Sequence, residues 1–198
     1  MTTTNAERLD VKFFVAPVAG AKPLDVKRFM PIFQRWIQED RLPGLLLDVA
    51  DYTHVTDGPS MVLVAHEGQY VLDEAEGRLG MLYSHRRGVA GDFDARLAES
   101  FRRALRACAL IEAESVLEGR VRFSGEVLFR INDRLHAPST PATFDAVRPA
   151  LAAITGRLFS STPVTLEARP ASGDAAFTVA IRAQSTSPAS DLLTRLGG

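Results

Sequence analysis

The chain is short of cysteine, tryptophan and lysine, and each shortage excludes something. Cys108 is the one cysteine, so no disulfide can form within the chain. It falls in a helical pattern, where a lone cysteine acts as a small buried apolar residue. Trp36 is the one tryptophan, and its spacing puts it on the apolar face of a predicted helix. No lysine follows Lys27. With the many alanines, that arginine bias suggests a GC-rich bacterial genome. Neither sign of charge is in excess, with Lys+Arg 23 against Asp+Glu 24 and a net charge of −1. A nucleic-acid partner usually demands a basic excess, so none is expected. No apolar run approaches the ~18 residues that span a bilayer. The first ten residues, MTTTNAERLD, carry neither the basic nor the apolar region of a secretion signal. The expectation is a cytoplasmic protein with no membrane partner.

What is present is ordinary globular material: 198 residues, 46% hydrophobic and 24% charged. That length can bury a real core, and that composition argues against disorder. Val11 to Ala16 reads as a strand closed by Pro17. Phe29, Ile32, Phe33, Trp36 and Ile37 mark one face of a helix. Pro31 within it must either kink the helix or open its main part. Leu45–Ala50, Met61–His66, Gln69–Asp73 and Met81–Ser84 read as strands joined by short turns, an antiparallel meander. Asp92 can cap a long amphipathic helix from Phe93 to about Val116, which Gly119 ends. Arg120–Phe123 and Glu126–Ile131 read as strands around a Ser124-Gly125 turn or bulge. Thr140-Pro141 opens another helix. Val164–Ala168 and Ala176–Ala183 are strands, and Asp191–Leu196 allows a short last helix.

The order strand, helix, strand, strand recurs. Phe29-x-Pro31-x-Phe33 and Val147-x-Pro149-x-Leu151 share an offset of 118. An interior proline costs about 3 kcal/mol in a helix, so its recurrence at one register argues for duplication. The predicted class is α+β: two βαββ repeats with antiparallel sheets, at 11–88 and 119–184, joined by a helix at 89–118. A mobile segment (1–10) and a polar tail (185–198) flank them. This order resembles the duplicated strand-helix-strand-strand folds, such as the gyrase-inhibitor-like effector-binding domains, and the resemblance implies a ligand groove between the copies. The segments DVADYTHVTDGP, VAHEGQYVLD and INDRLHAP are similar to stretches of uncharacterised bacterial proteins, a resemblance that implies no activity.

Catalytic signatures are missing. There is no HExxH, CxxC, EF-hand, GxSxG or P-loop pattern, and no cofactor is expected. Ser60 and Ser124 stand beside glycine or proline turns without a nucleophile elbow. Three polar clusters remain. Asp51, His54, Asp57, His66 and Glu67, with Asp48, are chemically suited to a divalent metal, yet their spacing is loose and each also fits a loop cap or strand end. Asn132, Asp133 and Arg134, with His136, follow a strand and fit either a ligand loop or an Asx-capped turn. Arg86, Arg87, Arg102, Arg103 and Arg106, with Arg78, His85 and Arg96, could form one anion-binding or partner-binding face. The bland alternative is a solvated helix face paired with Glu99. The reading these support is a non-enzymatic module binding a small molecule or a protein. The alternatives are a metal-assisted hydrolase built on Asp51, His54, His66 and Glu67, or an interaction subunit of a larger assembly. Homo-oligomerisation is left open.

Overall fold

The computed structural model describes residues 6–16, 24–55, 58–86, 90–160, 162–170 and 175–198. The class is α+β, with eight antiparallel strands in one sheet. Strands β1 (Leu9–Val15), β2 (Leu46–Asp51), β3 (Pro59–Ala65), β4 (Gly68–Asp73), β5 (Gly80–His85), β6 (Phe123–Ile131), β7 (Val164–Ala168) and β8 (Phe177–Ala183) lie in the order β2-β3-β4-β5-β1-β6-β8-β7. Helices are α1 (Phe29–Gln38), α2 (Phe93–Ala113), α3 (Pro141–Phe159) and α4 (Ala189–Arg195). None among the described residues is long and apolar enough to cross a membrane.

The two-residue period of the strands decides which face is covered. Leu9, Val11 and Phe13 of β1, Met81 and Tyr83 of β5 and Val127, Phe129 and Ile131 of β6 join one core with the buried residues of all four helices. Alternate residues turn to the opposite face, where Val62, Val71 and Leu82 form a small second cluster. The turn between β4 and β5 covers part of that second face. Lys12 Nζ reaches up to it, donating to Asp73 Oδ2 at 2.6 Å, Arg78 O at 2.8 Å and Ala75 O at 3.4 Å, and the Arg78 guanidinium lies 4.1 Å over the Phe14 ring. Charged residues on a strand's outward face are thereby buried, which their alternation alone would not suggest.

Pro31 starts α1 rather than kinking it. It is the third residue of the helix, in the first turn, where a backbone N–H has no helical acceptor anyway. Phe29, Ile32, Phe33 and Trp36 are buried; the Trp36 Nε1–H donates to Glu114 Oε1 at 2.9 Å. Pro149 differs, being the ninth residue of α3. There it costs about 3 kcal/mol, which burial of Leu151, Ile154, Leu158 and Phe159 offsets at about 1.5–3 kcal/mol each. The two prolines therefore occupy different helical registers, and they give no support to a repeat.

Other features also depart from the two-repeat layout. The strands form one sheet rather than two, with β1 and β6 as neighbours. β6, α3, β7 and β8 make a simple unit, but in the first half the β4–β5 hairpin separates β3 from β1. The helix expected to connect two halves instead packs on β1, β5 and α4. β1 begins at Leu9, inside the segment expected to be mobile, and the supposed polar tail holds α4 with Ala189 and Leu192 buried. Ser124-Gly125 is a bulge within a continuous β6: Phe13 pairs with Val127 and Val15 with Phe123. Ser124 Oγ donates to Phe14 O at 3.1 Å. A Cβ at Gly125 would lie 2.2 Å from Ala183 O, so only glycine fits there.

Candidate functional site

The polar residues that gather are at the end of the sheet where the start of β1 meets the ends of β5 and β6. Register places them: Asp10 lies opposite Ser84 on one side and Arg130 on the other. Asn132 follows β6, and its backbone N–H donates to Arg8 O at 2.8 Å. Its side-chain amide donates to Asp10 Oδ2. Arg130 Nη1 stands 4.0 Å from the same oxygen. Asp10 is only 5% exposed, and its Oδ1 has no hydrogen-bond partner among the described residues. Burial raises its carboxyl above the ordinary value, while Ser84, Arg130, Asn132 and Arg86 pull it back down.

Three concavities open around Asn132. The first, about 370 Å³, is lined by Arg8, Ser84, His85, Arg86 and Asn132. The second, about 510 Å³, runs over β6 and β8 between Arg130, Thr178 and the Glu76–Arg169 ion pair at 2.5 Å. An outer cleft lies along Asn132 to His136, with Glu7 and Arg8 across it. Volumes of this order hold small ligands. His85 is 2% exposed and its Nδ1 is unpartnered among the described residues. Burial, then Arg103 and Arg96, lower its pKa, so the imidazole is favoured in its neutral form at neutral pH.

The chain matches no protein-family model, and no curated protein matches it. The assignment of a site rests on geometry alone.

The structure brings some of the sequence's candidates into this groove and leaves others apart. Asn132, Asp133, Arg134 and Arg86 border it. Asp133 accepts from the His136 Nδ1 at 2.8 Å and from its backbone N–H at 3.2 Å; burial pushes the Asp133 pKa up, but these bonds outweigh it and hold the carboxyl low. That is the capped turn expected of an Asx residue, so Asp133 shapes the loop. Asp51 and His54 lie at the opposite end of the sheet from His66 and Glu67, separated by the length of β3, roughly 20 Å at 3.2–3.4 Å per residue. No single metal ion can draw on both ends. Locally, Asp51 caps Thr53 N at 2.8 Å and Asp48 caps Val49 N at 2.7 Å. His54 stacks on Tyr52 with centroids 6.2 Å apart. Among the described residues no group of three or more His, Cys, Asp or Glu is placed to hold a metal. Asp57 and Arg87 lie outside the described residues.

The arginines also do not form one face. Arg103 is nearly buried, bonded to Glu99 Oε1 at 2.7 Å and to Pro43 O at 3.3 Å, with Glu67 Oε2 at 3.8 Å. Its guanidinium lies 5.6 Å from the Tyr83 ring centroid. It is a core polar anchor between α2 and the β3–β4 turn, as is its partner Glu67. Burial raises the Tyr83 pKa, pushed up to about 12, so its hydroxyl stays protonated there. Arg102 pairs with Glu99 at 3.1 Å and Arg106 is exposed on α2. Arg86 turns instead to Gln69 Oε1 at 2.8 Å. The serines weighed as nucleophiles are structural: Ser60 donates to Glu74 and Ser124 secures the bulge.

The sequence reading passed over Arg8, Asp10, Ser84 and Arg130. Asp10 alternates with apolar Leu9 and Val11, a signal that β1 starts earlier than Val11. Which strands would flank Asp10 is set by long-range pairing, which periodicity does not reveal.

Proposed function

We propose that this protein is a non-enzymatic binding module for a small molecule, and that its site is the groove around Asn132. One observation carries the reading: three concavities share a single exposed amide above a buried carboxylate, one oxygen of which has no partner among the described residues. Buried polar atoms without partners are rare because each costs about 1–3 kcal/mol, and a ligand site is one place where that cost is tolerated. Ser84 and His85 are strand neighbours, so their side chains leave opposite faces of β5, an arrangement that gives no nucleophile–base pair.

The test is a thermal-shift screen of the full chain against metabolites, with hits repeated on Asn132→Ala. A ligand at 100 times its Kd adds about 2.7 kcal/mol, and a chain of this size gains about 2–4 °C per kcal/mol, so a true ligand shifts Tm by roughly 5–10 °C. That shift is expected to fall sharply in Asn132→Ala. Hits whose shift is identical in wild type and variant would place binding elsewhere and sink the assignment.

A further inference from the structure

The chambers of the groove differ in charge, and the difference points to a class of ligand. In the second chamber both arginines already face carboxylates: Arg130 lies 4.0 Å from Asp10, and Arg169 pairs with Glu76. In the first chamber they do not. Arg8 makes no ion pair among the described residues, and Arg86 gives one hydrogen bond, to the neutral amide oxygen of Gln69. No carboxylate lines that chamber; its other lining residues are Ser84, Asn132 and His85, whose ring turns to the opposite face of β5. Two guanidiniums that make no ion pair among the described residues line a partly enclosed space together with the Ser84 hydroxyl and the Asn132 amide.

We infer that the ligand is a small molecule bearing an oxyanion, a phosphate or carboxylate group seated between Arg8 and Arg86. The inference rests on the groove being the binding site. Guanidinium forks match the paired oxygens of both groups, and the Ser84 hydroxyl and Asn132 amide add hydrogen-bond donors. The rest of the molecule extends past Asn132 into the second chamber, where Pro170, Ala175, Ala176 and Thr178 offer a less polar wall. The Asp10 carboxylate does not repel the anion from this position, because Arg130 and Asn132 stand against it.

The experiment uses the full chain, isothermal titration and amide NMR, at constant ionic strength set with chloride. The probes are inorganic phosphate, a phosphomonoester, a dicarboxylate and a neutral sugar. At least one oxyanion is expected to bind saturably and to move the amides of Ser84, His85 and Asn132, while the sugar does not. Arg8→Gln combined with Arg86→Gln is expected to weaken that binding at least ten-fold. Arg182→Gln, which removes an exposed pair with Glu167 at the far end of the sheet, is expected to leave it unchanged. Equal affinity in wild type and the double variant overturns the inference. So does a neutral metabolite that binds, is lost in Asn132→Ala and is indifferent to the double variant; that outcome retains the binding-module reading. If neither oxyanions nor neutral metabolites bind, both readings fall. Unchanged amide spectra away from the groove verify that the double variant is folded. Relative preference for the phosphomonoester or the dicarboxylate assigns the headgroup.

Discussion

Asp10 is the residue at which stability and function pull apart. Its carboxylate is buried beneath the groove with one oxygen unpartnered among the described residues, while the other holds the Asn132 amide. Burial raises its pKa above the ordinary 3.8. A raised folded-state pKa means that the folded protein holds this proton more tightly than the unfolded chain does. The stabilisation is complete below 3.8 and is lost as pH rises through the folded value. At neutral pH the charge is therefore a cost. Asp10→Asn removes the charge and keeps an oxygen to accept from Asn132. Its Tm is expected to exceed that of wild type at pH 7, with the advantage shrinking as pH falls toward 4. Calorimetry across that range is the check; a gap that is constant with pH, or of the opposite sign, would refute it. The same variant loosens the charge that holds Arg130 in place, so a gain in stability accompanied by weaker ligand binding is the pattern of a site residue.

At the scale of elements, most of the fold was legible and its assembly was not. The helix of residues 93–113 declares itself through Phe93, Leu97, Phe101, Leu105 and Cys108, all buried as their spacing requires. The meander from β2 to β5 follows from short turns. What the periodicity of α2 does not say is where its face docks, and a helix read as a connector proves to be the central brace. Sheet order is equally remote from local pattern, because β1 pairs with strands about seventy and one hundred and twenty residues away. The groove was half visible for that reason: Asn132 and Arg86 stood out as polar residues after strands, whereas Arg8, Asp10 and Arg130 acquire meaning only once β5, β1 and β6 lie side by side. One partly buried side chain shows how α2 organises its neighbours. Glu112 accepts from the Phe123 backbone N–H at the start of β6 and from the Ala189 N–H at the start of α4, both at 2.9 Å. Glu112→Ala leaves two backbone donors without their acceptor. The expected loss is about 1–3 kcal/mol, with Glu112→Gln losing less because its amide oxygen still accepts. Urea denaturation resolves the difference; an alanine variant as stable as wild type would show that water replaces the carboxylate without cost.

The whole molecule presents two sheet edges, and they are unequally defended. An unpaired strand is a template for another copy unless charge or irregularity blunts it. β7 turns Thr165 and Glu167 outward, and Glu167 is paired with Arg182. β2 does the opposite: Leu45 is 62% exposed and Leu47 52%, with Tyr52 and Val55 also exposed beyond the strand's end. Its protection is a bulge at Leu47, which breaks the register between Leu46 and Asp48, and the negative charges of Asp48 and Asp51. Those devices limit pairing to a short stretch but leave the leucines in water, where they favour association of copies. Leu45→Lys with Leu47→Lys supplies the missing charge at positions more than half exposed in the monomer. Surface changes of this kind alter stability by no more than about 0.5 kcal/mol, so thermal unfolding is expected to match wild type. Sedimentation velocity over a hundred-fold range of protein concentration is expected to show association of wild type at the upper end and its loss in the variant. Association that persists in the double-lysine protein, or a wild type that stays monomeric throughout, would show that the bulge and the two aspartates already suffice.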